Sequence, residues 1–414
     1  MEVYIARQPI FDRRHKVVAY ELLYREDPQS NFHNDLMDDH VATSRVLINS
    51  FLNLGLENIT EGKKAFVNFG EKTLTEDISV YFTPSVLTVE ILENVKITEN
   101  ILNACVELKK KGYQIAIDDF EEQNEVQYEK ILPYIDILKV DLFANPKESW
   151  RAIAKNYRGK GIKLLAEKVE TEEVYNQVRD MGYDYFQGYF FSKPKIVAAK
   201  NLTSYEMKCF DILRELNEQE PDYDRLAELV EQDVNLSYKF LKITNSPIFY
   251  LKMPIASIRQ ALVYLGIKEI RRFISMLLVY EIKGNKPDEL IKKALVRGKL
   301  CELIGQLTAS SRRTSELFLL GLFSLIDAML EQSKENLVKE LPLEQDVKEC
   351  LLEKETPANK EIYHIYKSVI SFDDEHWSVF DQHIKEIDIQ PTTFNEMHVQ
   401  SIAWAKEALN INME

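Results

Sequence analysis

Cysteine is scarce in this chain. Cys105, Cys209, Cys301 and Cys350 stand far apart, with no CxxC pair among them. A disulfide framework or a zinc site therefore has little to be built from, and the four read as thiols of a reducing, cytoplasmic compartment. Long apolar runs are missing as well. The longest, Leu317 to Ile326, contains Gly321 and Ser324 and stops at Asp327, far short of the roughly 20 apolar residues of a membrane span. The opening MEVYIARQPIF has no basic region ahead of a long apolar stretch, so no signal peptide is expected. Positive charge is in deficit, with 52 Lys and Arg against 67 Asp and Glu, a formal net charge of −15. Such a chain repels phosphate instead of releasing counterions, which argues against general nucleic-acid binding. A small anionic ligand would need metal ions or a few placed cations to offset that charge.

What is present is ample. The 414 residues suggest two or three domains. Apolar residues at 45% and charged residues at 29% are ordinary for a globular chain. In the first half, short β-type runs alternate with helix-period segments. The runs are Val17–Leu23, Ala65–Phe69, Val86–Leu92, Gln114–Ile117, Ile137–Val140, Lys163–Ala166 and Tyr185–Gln187. Helices are expected at Asp39–Leu54, Thr98–Lys111, Trp150–Tyr157 and Glu172–Met181. This α/β alternation implies a parallel sheet, either doubly wound or closed into a barrel. A boundary is expected near Pro194, dividing the chain into 1–200 and 201–414. Beyond it the β-type runs vanish. Helices are expected at Asp224–Val234, Glu289–Leu307, Ser315–Leu330 and Asn395–Leu409, with a capping box at Ser257 and Gln260 and a stop at Gly266. No internal repeat or low-complexity tract interrupts either half.

Acidic and amide side chains recur where the first-half strands end. Glu21 sits in YELLYR, Asn68 ends AFVNF, Glu90 lies in TVEILE, and Asp118 and Asp119 follow QIAI. Lys139 and Asp141 lie in ILKVD, Glu167 and Glu170 in LLAEKVE, and Gln187 in YFQG. Any one of these alone is most simply a helix cap or a solvated loop charge. Together, on the carboxyl ends of parallel strands, they would converge. Crowded carboxylates call for hard divalent cations, and two such ions can drive phosphodiester cleavage.

These residues resemble the EAL domain of bacterial cyclic di-GMP phosphodiesterases, and the whole chain resembles the EAL–HDOD family. Gln8-Pro9-Ile10 matches the family's opening QPI, and YELLYR its namesake motif, with Leu22 in place of the usual Ala. Asn68, the Glu90–Glu93 pair, Asp118-Asp119, Lys139 and Asp141, Glu167 and Glu170, and Gln187 with Pro194 match its further motifs. The resemblance implies an EAL-type (β/α)8 barrel followed by an all-α HDOD domain. It implies two Mg2+ or Mn2+ ions, one held by Glu21, Asn68, Glu90 and Asp118, the other by Asp118, Asp119 and Glu167. Glu93 would brace the loop after the fifth strand. Lys139 and Glu170 would position or deprotonate the attacking water, and Gln8, Arg25, Gln187 and Pro194 would contact the substrate. The implied reaction is hydrolysis of cyclic di-GMP to pGpG. The alternative is a silent barrel that binds cyclic di-GMP as a receptor or scaffold.

Two departures stand out. DDFEEQ replaces the family's DDFGTG, and Lys168 replaces the Gly of AEGVE. The second half resembles the HDOD domain over residues 236–266, and implies a regulatory module with an unidentified protein partner. Oligomeric state is left open, a homodimer among its alternatives. The histidines are His15, His33, His40, His364, His376, His383 and His398, with none between His40 and His364. A catalytic HD metal dyad is therefore not expected, and the four late histidines are expected to be ordinary surface groups.

Overall fold

The computed structural model describes residues 3–26, 55–75, 82–188, 204–218, 220–245, 255, 257–282, 287–330 and 332–413. The chain forms two compact units. One comprises Met1–Lys193 with Gln390–Val399, the other Pro194–Ile389 with Gln400–Glu414. A single boundary near Pro194 does not contain that return of 390–399 to the first unit. Among the described residues, no helix is long and apolar enough to cross a membrane.

The first unit is a closed eight-stranded barrel in chain order. Its strands are β1 (Val3–Asp12), β2 (Val17–Glu26), β3 (Lys64–Phe69), β4 (Leu87–Ile91), β5 (Gln114–Phe120), β6 (Ile137–Asp141), β7 (Lys163–Glu167) and β8 (Tyr185–Phe186). Strands β2 to β8 run parallel, while β1 is antiparallel to both neighbours, β2 and β8. Seven strands coincide with the β-type runs of the sequence. The eighth, β1, is an addition, and Pro9 within it weakens any local strand signal. Its hairpin to β2 closes where Asp12 Oδ1 accepts from the amides of Arg14 at 2.8 Å and Lys16 at 3.0 Å.

Two apolar layers hold the barrel. The outer one packs strand residues such as Val89, Ile117 and Val140 against helix residues such as Ile101, Cys105 and Ile153. The helix Glu99–Lys110 starts where the Thr98 hydroxyl accepts from the Ile101 amide at 3.4 Å, and buries Ile101, Cys105 and Leu108. The inner layer is a plug inside the strands: Ile10, Ala19, Phe66, Ala116, Ile137 and Leu165. In the returning segment, Asn395 Oδ1 accepts from the Ile5 amide at 3.0 Å. The expected helix Asp39–Leu54 lies outside the described residues.

The second unit is all-helical. At Gly321, a Cβ would lie 2.4 Å from the backbone of Arg297. Only glycine permits the approach of the helices Asp288–Leu307 and Thr314–Phe323 there. Arg297 is buried beside them and pairs with Asp373 at 2.6 Å and Asp374 at 2.5 Å. The single helix expected over Ser315–Leu330 is two, Thr314–Phe323 and Ile326–Leu330. The Ser324 hydroxyl donates to the Gly321 carbonyl at 2.7 Å, competing with the helix ladder at the break. At Gly266 the backbone leaves the helix at φ 73°, ψ 162°, and the chain resumes helix beyond it.

The expectation of surface histidines fails at three positions. His364, His383 and His398 are only 7%, 6% and 4% exposed. In the helical unit, His364 Nδ1 and His383 Nδ1 lie 2.8 Å apart. One ring must donate and the other accept, so the pair is not doubly protonated in this geometry. Burial, then His364, pushes His383 down to about 4. Among the described residues, no group of three or more side chains able to share a metal ion includes a histidine.

Candidate active site

A strand's side chains alternate between faces, so residues two apart point the same way. The inner plug therefore dictates what lies above it. Two residues beyond Ala19, Phe66, Ala116, Ile137 and Leu165 stand Glu21, Asn68, Asp118, Lys139 and Glu167. Buried Thr88 leads likewise to Glu90 on β4, and Tyr185, packed on the plug, to Gln187. Because β1 runs the opposite way, its residue on this level is Gln8, two before Ile10. One apolar layer is thus capped by one ring of polar side chains at the carboxyl ends of the parallel strands, the functional face of such a barrel.

Lys139 stands at the centre of the ring and is 1% exposed. Its Nζ lies 2.6 Å from Asp118, 2.7 Å from Glu90, 3.1 Å from Glu167 and 3.2 Å from Glu21. Burial alone would discharge this ammonium, but Glu167, Glu21, Glu90 and Asp118 carry it well above the ordinary lysine range. The carboxylates remain in excess. Burial pushes Glu90 well above the usual carboxylate range, with Glu21 and Asp118 adding and Lys139 opposing. Burial also raises Glu167 to about 8, against the pull of Lys139.

One change of phase brings two adjacent aspartates to the site. In a regular strand Asp119 would face away from Asp118. Here the β5–β6 register shifts between Ile117 and Phe120, and Asp119 takes a left-handed φ of 42°. This bulge leaves Phe120 in the outer core while both carboxylates face the barrel mouth. Glu21, Glu90 and Asp118 each bring an oxygen within 4.8 Å of the others, and so do Glu93, Asp118 and Asp119. Asp118 belongs to both groups. Glu93, expected only as a brace, is exposed beside the pair.

The donor set fits hard divalent cations. It is all oxygen, and Asn68 Oδ1, Glu90 Oε2 and Glu167 Oε2 are buried oxygens that accept no hydrogen bond. Gln187 Nε2 donates to Glu21 Oε2 at 2.5 Å and also to Gln8 Oε1, tying β8 to β2 and β1. Gly188 follows with φ 145°, where a Cβ would come within 2.4 Å of the Val169 amide nitrogen. That approach packs the end of β8 on the turn carrying Glu167 and Glu170. Glu170 itself stands in the turn, half-buried, and belongs to neither carboxylate group. Arg25 lies on β2, but its side chain and the whole of Pro194 fall outside the described residues.

Sequence reasoning missed Asn145. It is buried, donates to the carbonyls of Phe120 at 2.8 Å and Asp141 at 2.9 Å, and accepts from the Glu122 amide at 2.9 Å. It so binds the loop after β5 to the end of β6. Its only sequence signal, an Asn before a Pro, reads as an ordinary turn.

Comparison with known proteins agrees along the full length. The EAL-domain family model matches residues 51–194 and the HDOD-domain model residues 202–352. The protein YuxH of Bacillus subtilis is 38% identical over 416 residues, covering 99% of this chain and 100% of its own. Cyclic di-GMP phosphodiesterase CdgJ of Vibrio cholerae is 34% identical over 406 residues, covering 98% of this chain and 92% of its own. Among solved structures, an EAL domain protein from Listeria monocytogenes is 24% identical with a TM-score of 0.37, over 46% of this chain and 88% of that one. With both domain models in tandem and full-length relatives above 30% identity, the chain belongs to the EAL–HDOD family of bacterial cyclic di-GMP signalling proteins.

Proposed function

We propose that the barrel is a cyclic di-GMP phosphodiesterase that opens one phosphodiester to give linear pGpG. The observation that carries this reading is the buried ammonium of Lys139 among four carboxylates, with Asp118 shared by two acidic groups. Glu21, Asn68, Glu90 and Asp118 would hold one Mg2+ or Mn2+; Asp118, Asp119 and Glu167 would hold a second, with Glu93 within reach of it. Such ions, when bound, activate a water and stabilise the leaving oxygen. Lys139, an ammonium set among these carboxylates, is read as a donor and not as the general base. It donates to the water or to the phosphoryl oxygens as their charge grows. Glu170 would orient or deprotonate that water. Gln8, Arg25, Gln187 and Pro194 would contact the dinucleotide.

The helical unit is read as a regulatory module for a protein partner. Its buried arginine network and its histidine pair supply packing, not a metal triad. A receptor reading of the barrel draws on one observation: the loop after β5 carries Glu121 and Glu122 and is bound down by Asn145. Product analysis separates the two. Full-length protein with cyclic di-GMP and Mn2+ should release pGpG. Cyclic di-GMP bound and recovered intact would favour the receptor.

A further inference from the structure

Lys168 occupies a backbone position that suits glycine. Its φ is 56°, in the left-handed region that a Cβ disfavours. What the lysine brings there is an ammonium at the mouth of the site. Its Nζ pairs closely with Asp141 Oδ2 and lies 3.5 Å from Asp119 Oδ1. Asp141 is already committed, because its other oxygen accepts from the amides of Phe143 at 2.6 Å and Ala144 at 3.1 Å. It serves as the anchor. Asp119 is different, because it shares an acidic group with Asp118 and Glu93.

We propose that Lys168 is a positioning residue that weakens the second divalent-ion subsite, the one built on Asp119, and thereby separates the affinities of the two ions. The inference rests on the two-ion reading of the barrel. The physical reason is direct. A tethered positive charge beside Asp119 offsets part of that carboxylate's charge and repels any cation the carboxylate would hold. The Glu21–Glu90–Asp118 group surrounds Lys139 and makes no ion pair with Lys168, so Lys168 reaches it only through the shared Asp118. A neutral residue at 168 leaves Asp119 open; the lysine makes occupancy of the second subsite depend on metal concentration.

The test is Mn2+ binding to the full chain without substrate, followed by the electron paramagnetic resonance signal of free Mn2+. Wild type, Lys168→Gly, Lys168→Gln and Lys168→Arg are compared. Glycine suits the backbone and glutamine keeps the length, so a folding defect in one does not decide the result. Expected is a weaker class of site that tightens roughly tenfold in both neutral variants, from removal of one nearby charge. The tighter class stays within about twofold, and Lys168→Arg behaves as wild type. A merely structural lysine would move the melting temperature without moving the weaker class alone. Two bound ions with unchanged affinities in the neutral variants would overturn this inference and leave the two-ion reading standing. No Mn2+ bound by any of the four proteins would overturn both.

Discussion

Lys139 Nζ lies 2.6 Å from Asp118 Oδ1 across the β5–β6 pair, inside a barrel where neither side chain has much water. The two residues sit on the same level because each stands two positions past a plug residue, Ile137 and Ala116. Lys139→Ala leaves Glu21, Glu90, Asp118 and Glu167 buried without their ammonium. In chelator it should lose about 3 kcal/mol of stability, typical of an uncompensated buried charge. Added Mn2+ should return much of this, while pGpG formation stays down by about 100-fold or more. Urea unfolding with and without Mn2+, beside turnover, checks both. Unchanged stability in chelator would contradict the central placement of Lys139.

Gly188→Ala should damage both fold and activity. The new Cβ would meet the Val169 amide nitrogen at 2.4 Å, at a φ of 145° that L residues rarely adopt. A loss of about 3 kcal/mol or more is expected from backbone displacement. The turn bearing Glu167 and Glu170 must move with it. Thermal unfolding close to wild type would show that the approach is looser than described.

Ca2+ should bind without supporting turnover. The oxygen ligands accept it, but it is larger and more loosely coordinated than Mg2+ or Mn2+. Cyclic di-GMP should bind in Ca2+, and pGpG should appear only on exchange into Mn2+. Equal turnover in Ca2+ would contradict a mechanism dependent on tight geometry.

His383 should make the helical unit acid-sensitive. Burial first, then the facing His364 ring and Lys367, lower its pKa to about 4 from 6.5, with Glu355 and Glu386 opposing. A lowered folded-state value favours the neutral ring, so the stability is fully present above about 6.5 and is lost as pH falls toward about 4. The shift corresponds to about 3 kcal/mol, which solvent screening at this partly buried ring reduces to about 2 kcal/mol at the acid end. His383→Gln should flatten the pH dependence of melting between about 6.5 and 5 relative to wild type. An identical dependence in both would contradict the pairing with His364.

Much of the site was legible because its signal is local. Every ring residue except Gln8 lies in or just after a β-type run, and period two turns that position into an inward face. The rest depends on closure. Strand β1 carries Pro9 and pairs antiparallel, so neither periodicity nor a parallel-sheet expectation finds it. The bulge that turns Asp119 beside Asp118 is a register shift against β6, visible only once the strands are paired. His364 and His383 were read from their charged neighbours; that the two rings meet across two helices is visible only once the helices are packed. Lys168 was legible as a departure from glycine; its pairing with Asp141 and Asp119 was not, because three separate strand ends make it.

The most direct measurement is the product formed from cyclic di-GMP by the full chain in Mn2+, run beside Glu21→Ala and a chelator control. Glu21 accepts from Gln187 at 2.5 Å and lies 3.2 Å from Lys139, so its loss opens the first acidic group. Wild type should yield pGpG, Glu21→Ala at least about 100-fold less, and either protein none in chelator. Cyclic di-GMP recovered intact from wild type, or equal turnover by Glu21→Ala, would contradict the phosphodiesterase reading.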